Sequence, residues 1–233
     1  MNSQNQKLCL WSGVVFMVVF GLGWWLIAGF VPPPDPNATA AQVAESYQTN
    51  TWMIRLGLLI AAVSCTFYYP WISAISCQMK RIEGAAPIFS WTQLVSGATG
   101  TFIIYLPMFI WLVASFRPER NPELILLLND FGWLLFTTTL APFLAQNISI
   151  ALAILTDKSA TPVFPRWLGF YNIAVTTLFL PVGLIFFFKA GPFAWNGMIG
   201  FWIPLLDFFI WMVVMTVFLF KAVNQEKSLE SVA

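Results

Sequence analysis

The chain has 233 residues, of which 59% are hydrophobic and only 9% charged, with a net charge of +1. Soluble domains carry roughly a quarter charged residues, so the composition excludes an ordinary soluble fold. It predicts an all-α integral membrane protein. With 11 basic against 10 acidic residues and no basic stripe, nucleic acid is not an expected partner.

A bilayer core of about 30 Å takes about 20 mostly apolar residues as a helix. Six runs meet that need: Cys9–Val31, Trp52–Cys77, Ile88–Phe116, Leu124–Leu155, Trp167–Phe188 and Gly197–Phe220. They are continuous and do not alternate, which argues for helices over a barrel. The expected architecture is one multi-pass domain over residues 1–233, a bundle of about six spans. Ala38-Thr39-Ala40 has the small-x-small form of a cleavage site. The run before it is longer than a signal-peptide core, so a retained span is expected.

Breakers separate the runs: Pro32 to Asn50, Gly84 to Pro87, Arg117 to Pro122, Thr156 to Arg166, and Ala190-Gly191-Pro192. Five prolines lie inside them, namely Pro70, Pro107, Pro142, Pro181 and Pro204. A proline removes a backbone donor and crowds the carbonyl four residues earlier, so several proline-kinked spans are expected. Bent helices leave room for a cavity.

Basic residues set the expected orientation. Lys7, Lys80, Arg81, Lys158, Arg166, Lys221 and Lys227 fall on one side, against Arg55, Arg117, Arg120 and Lys189 on the other. The expectation is a cytoplasmic (plasma) membrane protein with both termini cytoplasmic.

Charged groups at membrane depth are costly and should face inward. Asp207 lies about ten residues into the sixth run, or about 15 Å at the helical rise. Asp130, beside Asn129, lies about 9 Å into the fourth by the same measure. Arg55 is one turn into the second run, and Lys189 closes the fifth. All enter from the outer side, so the expectation is one outer layer in which Arg55 reaches the aspartates. Arg55, Asp130, Asp207, Asn129 and Lys189 are therefore candidate ligand-binding residues. The structural alternative is a buried ion pair that fixes helix register.

A second, inner polar layer comprises Gln93, Gln146, Asn147 and Asn172. Interhelical packing contacts are one reading of it, and the inner half of a polar pathway the other. The abundant aromatics divide between interfacial belts (Trp24, Trp25, Trp52, Trp91, Trp167, Trp195, Trp202) and any cavity wall, with Phe186 to Phe188, Phe208 and Phe209 as wall candidates.

There is no histidine. Ser–His catalysis and the usual haem ligand are thereby excluded. No catalytic residue, metal or cofactor is expected, and an enzyme is the least favoured class. The leading expectation is a protein that binds or transports a small, largely apolar molecule through a bundle cavity with a polar Arg/Asp end. The alternative is a structural or accessory subunit of a larger membrane complex. Membrane lipids are expected partners throughout, and a second copy or partner membrane subunits under the alternative.

Overall fold

Six helices are long and apolar enough to cross a membrane, and no strand occurs among the described residues. The structure, a computed structural model, describes residues 3–230; the remaining termini of the expected 1–233 domain lie outside the described residues. The spans are α1 (Ser3–Ile27), α3 (Thr51–Glu83), α4 (Ile88–Phe116), α5 (Pro122–Thr156), α6 (Arg166–Phe187) and α7 (Met198–Lys227). A short helix, α2 (Ala40–Thr49), lies between the first two. The protein is an integral, multi-pass, all-α membrane bundle.

Proline accounts for most of the irregularity. Crowding falls four residues before the ring. For Pro142 that residue is Thr138, and α5 splits there into Pro122–Thr137 and Leu140–Thr156. For Pro70 it is Thr66, inside a 3₁₀ turn at Cys65–Phe67. For Pro204 it is Gly200, within a π-helical stretch at Met198–Trp202. Pro181 opens a 3₁₀ stretch at Leu180–Phe187. Pro107 differs, because α4 continues through it as α-helix.

The spans close into a ring. α1 packs on α3 and α7; α3 packs on α4; α4 packs on both halves of α5; the second half of α5 packs on α6, and α6 on α7. Backbones come close together between α1 and α3. A Cβ on Gly57 would lie 2.4 Å from the Gly23 carbonyl oxygen, and one on Gly23 would lie 2.8 Å from the Ala61 nitrogen. Small residues permit this approach, the usual device for helix contact in lipid.

The distribution of polarity is that of a membrane bundle. Gln78, Gln93, Asn147 and Asn172 are fully buried, while Leu8, Leu26, Leu127 and Phe187 face outward. Lipid accepts the apolar side chains, and the amides are kept from it. Trp25, Trp52, Trp91 and Trp167 are exposed at the span ends. Trp24 and Trp195 depart from the expected belt and are buried. Trp24 packs 4.7 Å from Phe136 and 6.1 Å from Trp133, ring centre to ring centre. The Trp195 indole donates to the Pro34 carbonyl at 2.9 Å, tying two loops together.

The segment before α3 reads as a polar loop in sequence, yet it contains α2. Thr39 and Gln42 form a reciprocal capping box at its start. Val43, Ala44 and Tyr47 are buried, and α2 packs against the first half of α5.

Candidate functional site

The breaks described above leave space between the spans. A cavity of about 80 Å³ lies between the spans, and every span contributes to its wall. α1 supplies Phe16 and Phe20, α3 supplies Tyr68, and α6 supplies Phe179. Gly100 and Ile104 come from α4. Phe136, Thr137, Thr139, Phe143 and Gln146 straddle the split in α5. Gly200, Phe201, Pro204, Leu205, Phe208 and Phe209 follow one another around the proline of α7. The two α7 positions that a proline ties together, Gly200 and Pro204, thus both face the space.

The wall is mainly aromatic and aliphatic carbon. One water needs about 10–15 Å³ and several polar partners, so the space exceeds one water but offers it little. The threonine hydroxyls on the wall already donate elsewhere: Thr137 to the Trp133 carbonyl at 2.7 Å, and Thr139 to the Phe136 carbonyl at 3.2 Å.

Gln146 is the exception. It is 2% exposed, and its Nε2 has no hydrogen-bond partner. The Tyr68 hydroxyl lies beside it. Gly97 provides the room, since a Cβ there would come 2.8 Å from Nε2. A buried donor left unmatched costs about 1–3 kcal/mol.

The other inner amides are structural in their contacts. Asn172 donates to the Leu168 carbonyl and accepts from the Trp211 indole at 2.9 Å. Asn147 donates to the Phe143 carbonyl, leaving its Oδ1 without a partner. Gln93 accepts from the Ser76 hydroxyl, leaving its Nε2 without one. Of the four, only Gln146 faces the cavity.

Among the described residues, no ion pair joins Arg55 to Asp130 or Asp207. Arg55 turns to the end of α4, where Nε and Nη2 donate to the Ser115 carbonyl at 3.1 and 2.6 Å, and Nη2 also to that of Phe116 at 3.0 Å. The last carbonyls of a helix lack intrahelical donors and carry the negative end of its dipole, so a guanidinium satisfies them as well as a carboxylate would satisfy it. Asn129 accepts from the Tyr47 hydroxyl of α2 at 3.3 Å. Burial pushes the Tyr47 phenol well above its ordinary range, and Asp130 nearby adds to this. Asp130 feels the exposed Lys189 at a distance. Asp207 stands apart, within electrostatic range of the Tyr171 hydroxyl; neither its Oδ2 nor that hydroxyl has a partner. Arg55, Asp130, Asp207 and Lys189 do not line the cavity.

Asn129 does line a second, outward-facing hollow of about 350 Å³, with Phe30, Tyr47 and Trp133. Tyr47 was not among the expected residues; the Thr39-x-x-Gln42 spacing was the signal that could have found its helix. The cavity phenylalanines of α1 carry no comparable signal, being apolar residues in an apolar run. Phe208 and Phe209 line the cavity, whereas Phe186 and Phe187 face outward. Comparison with family models, curated proteins and solved structures finds no match to this chain.

Proposed function

We propose that this membrane protein binds, or passes across the bilayer, a small and largely apolar molecule held in the cavity between its six spans. The observation that supports this is the cavity itself: a carbon-lined space of about 80 Å³ walled by every span. Side chains that border unfilled space lack van der Waals partners on that side. An apolar occupant would restore those contacts at little cost in desolvation. The polar groups at the wall in this reading are Gln146 and the Tyr68 hydroxyl beside it, in place of Arg55 and Asp207. We propose further that the membrane is the cytoplasmic one, with both chain ends inside.

The test uses 1-ethyl-4-fluorobenzene as probe, with the protein in lipid nanodiscs and fluorine NMR as readout. Bound probe sits among Phe16, Phe20, Phe143 and Phe208, so ring currents displace its resonance from that of lipid-dissolved probe. The displaced signal saturates with probe and disappears in Gly100→Phe, which fills the space. A single lipid-like resonance in the parent protein overturns the reading.

A second reading is favoured by Asp207. With its Oδ2 and the Tyr171 hydroxyl unmatched, this side of α6 and α7 suits a partner subunit that supplies a donor. In that case Asp207→Asn reduces co-purification of a partner and leaves probe binding unchanged.

A further inference from the structure

The second hollow, of about 350 Å³, lies where α1 ends against α2, the start of α3 and the first half of α5. It shares no lining residue with the cavity, so its reading stands independently of the one above. No acidic or basic side chain lines it. An anion there would lose water and meet no counter-charge. Arg55, one residue beyond the lining residue Ile54, has its guanidinium on the carbonyls that end α4.

The wall offers acceptors instead. Among the described residues, no hydrogen bond reaches the carbonyls of Ile27, Ala28 or Gly29, where α1 stops. Gly29 has no side chain, so its backbone itself borders the hollow. The last carbonyls of a helix carry the negative end of its dipole. The hydroxyls on the wall have spent their protons and keep lone pairs. Ser46 donates to the Val43 carbonyl at 2.7 Å, and Tyr47 to Asn129 Oδ1 at 3.3 Å. Phe30, Tyr47 and Trp133 add rings, with Phe30 and Trp133 stacked at 5.7 Å between centres. Ring faces attract cations. The field of Asp130 reaches Tyr47, partly offset by Lys189.

We propose that this hollow binds an organic ammonium group, free or carried on a lipid headgroup. Its N–H groups donate to the carbonyls at the end of α1, and its charge lies against the rings.

The experiment compares 4-fluorobenzylammonium with the near-isosteric, neutral 4-fluorobenzyl alcohol. Both are titrated into protein held in phosphatidylglycerol nanodiscs, which contain no amine, and followed by fluorine NMR. High salt screens the lipid charge. The ammonium is expected to bind about tenfold more tightly than the alcohol. Ser46 is exposed at the wall, so substitution there spares the packed interior. Ser46→Arg sets a like charge at the site and abolishes ammonium binding, whereas Ser46→Gln keeps it. Gly100→Phe, which fills the cavity, also keeps it. Absence of a displaced ammonium resonance in the parent, equal binding of the two probes, or ammonium binding that survives Ser46→Arg overturns the proposal. Loss of ammonium binding in Gly100→Phe alone also overturns it and assigns the probe to the cavity. Replacing part of the lipid with phosphatidylethanolamine names the source of the group. Displacement of the probe assigns a headgroup, retention assigns a free amine, and both accord with ammonium recognition.

Discussion

The Gln146 side chain occupies the space in which a residue at position 97 would place its own: a Cβ on Gly97 would stand 2.8 Å from Nε2. Gly97→Ala therefore displaces the amide or parts α4 from α5. The expected cost is about 1–3 kcal/mol, the usual range for overfilling a packed interior. Gly100→Ala is the control one turn along, where the nearest atom would be Pro142 Cβ at 3.6 Å and an added methyl meets ordinary contact. Thermal unfolding of the two variants in the same nanodiscs should separate them, with only the first lowered. Equal midpoints would remove Gly97 from the account.

Arg55 closes the end of α4 by donating to the carbonyls of Ser115 and Phe116. Arg55→Met leaves both acceptors unmatched and should lower stability by about 1.5–3 kcal/mol, the range for hydrogen bonds to a charged group. Arg55→Lys should recover only part of this, because an ammonium lacks the planar fork that reaches two carbonyls at once. Asp130→Asn and Asp207→Asn, in contrast, should leave the Arg55→Met penalty unchanged in double-variant cycles. Coupling between Arg55 and either aspartate would contradict the geometry.

The six spans were legible because about 20 continuous apolar residues have few other uses. Most of the breaks were legible too, through the fixed chemistry of proline at Pro70, Pro142, Pro181 and Pro204. The inward faces were not. In a soluble helix the apolar stripe marks the core, but Phe16 inside and Val18 outside α1 are equally at home in carbon. Arg55 was misdirected for a related reason. Sequence offers side-chain partners by name, whereas the ends of helices offer carbonyls at every position, and these acquire an address only when the helices are packed. Gln146 was legible as a polar residue at depth. That it faces a cavity depends on the split at Thr138, three-dimensional information that its neighbours in sequence do not carry.

The expected orientation has a direct check in whole cells. With Cys9, Cys65 and Cys77 replaced by serine, Asn37→Cys in the loop before α2 should react with a membrane-impermeant thiol reagent. Lys158→Cys, between α5 and α6, should react only after the cells are opened. The reverse pattern would place both chain ends outside.

Asp157 gives a pH dependence of known sign. Partial burial works against its charge, but the Ser159 hydroxyl and the Ser159 and Val163 amides all donate to it, at 2.6, 2.9 and 3.1 Å, and Arg81 adds a favourable field. The balance holds its carboxyl below the ordinary aspartate range. A depressed folded value means that the contribution is complete above the ordinary aspartate range and is lost as pH falls through the folded value. Hydrogen exchange at the Val163 amide should therefore stay protected near neutrality and lose protection only in strong acid. In Asp157→Ala the amide should exchange fast at every pH.

The contact of α1 with α7 has a consequence for synthesis. A chain threaded into the bilayer from its start delivers five walls of the chamber before the sixth exists. Until that moment Phe16 and Phe20 border a cleft that lacks its wall of Phe201, Phe208 and Phe209. Arrival of the final helix supplies that wall and completes the lining.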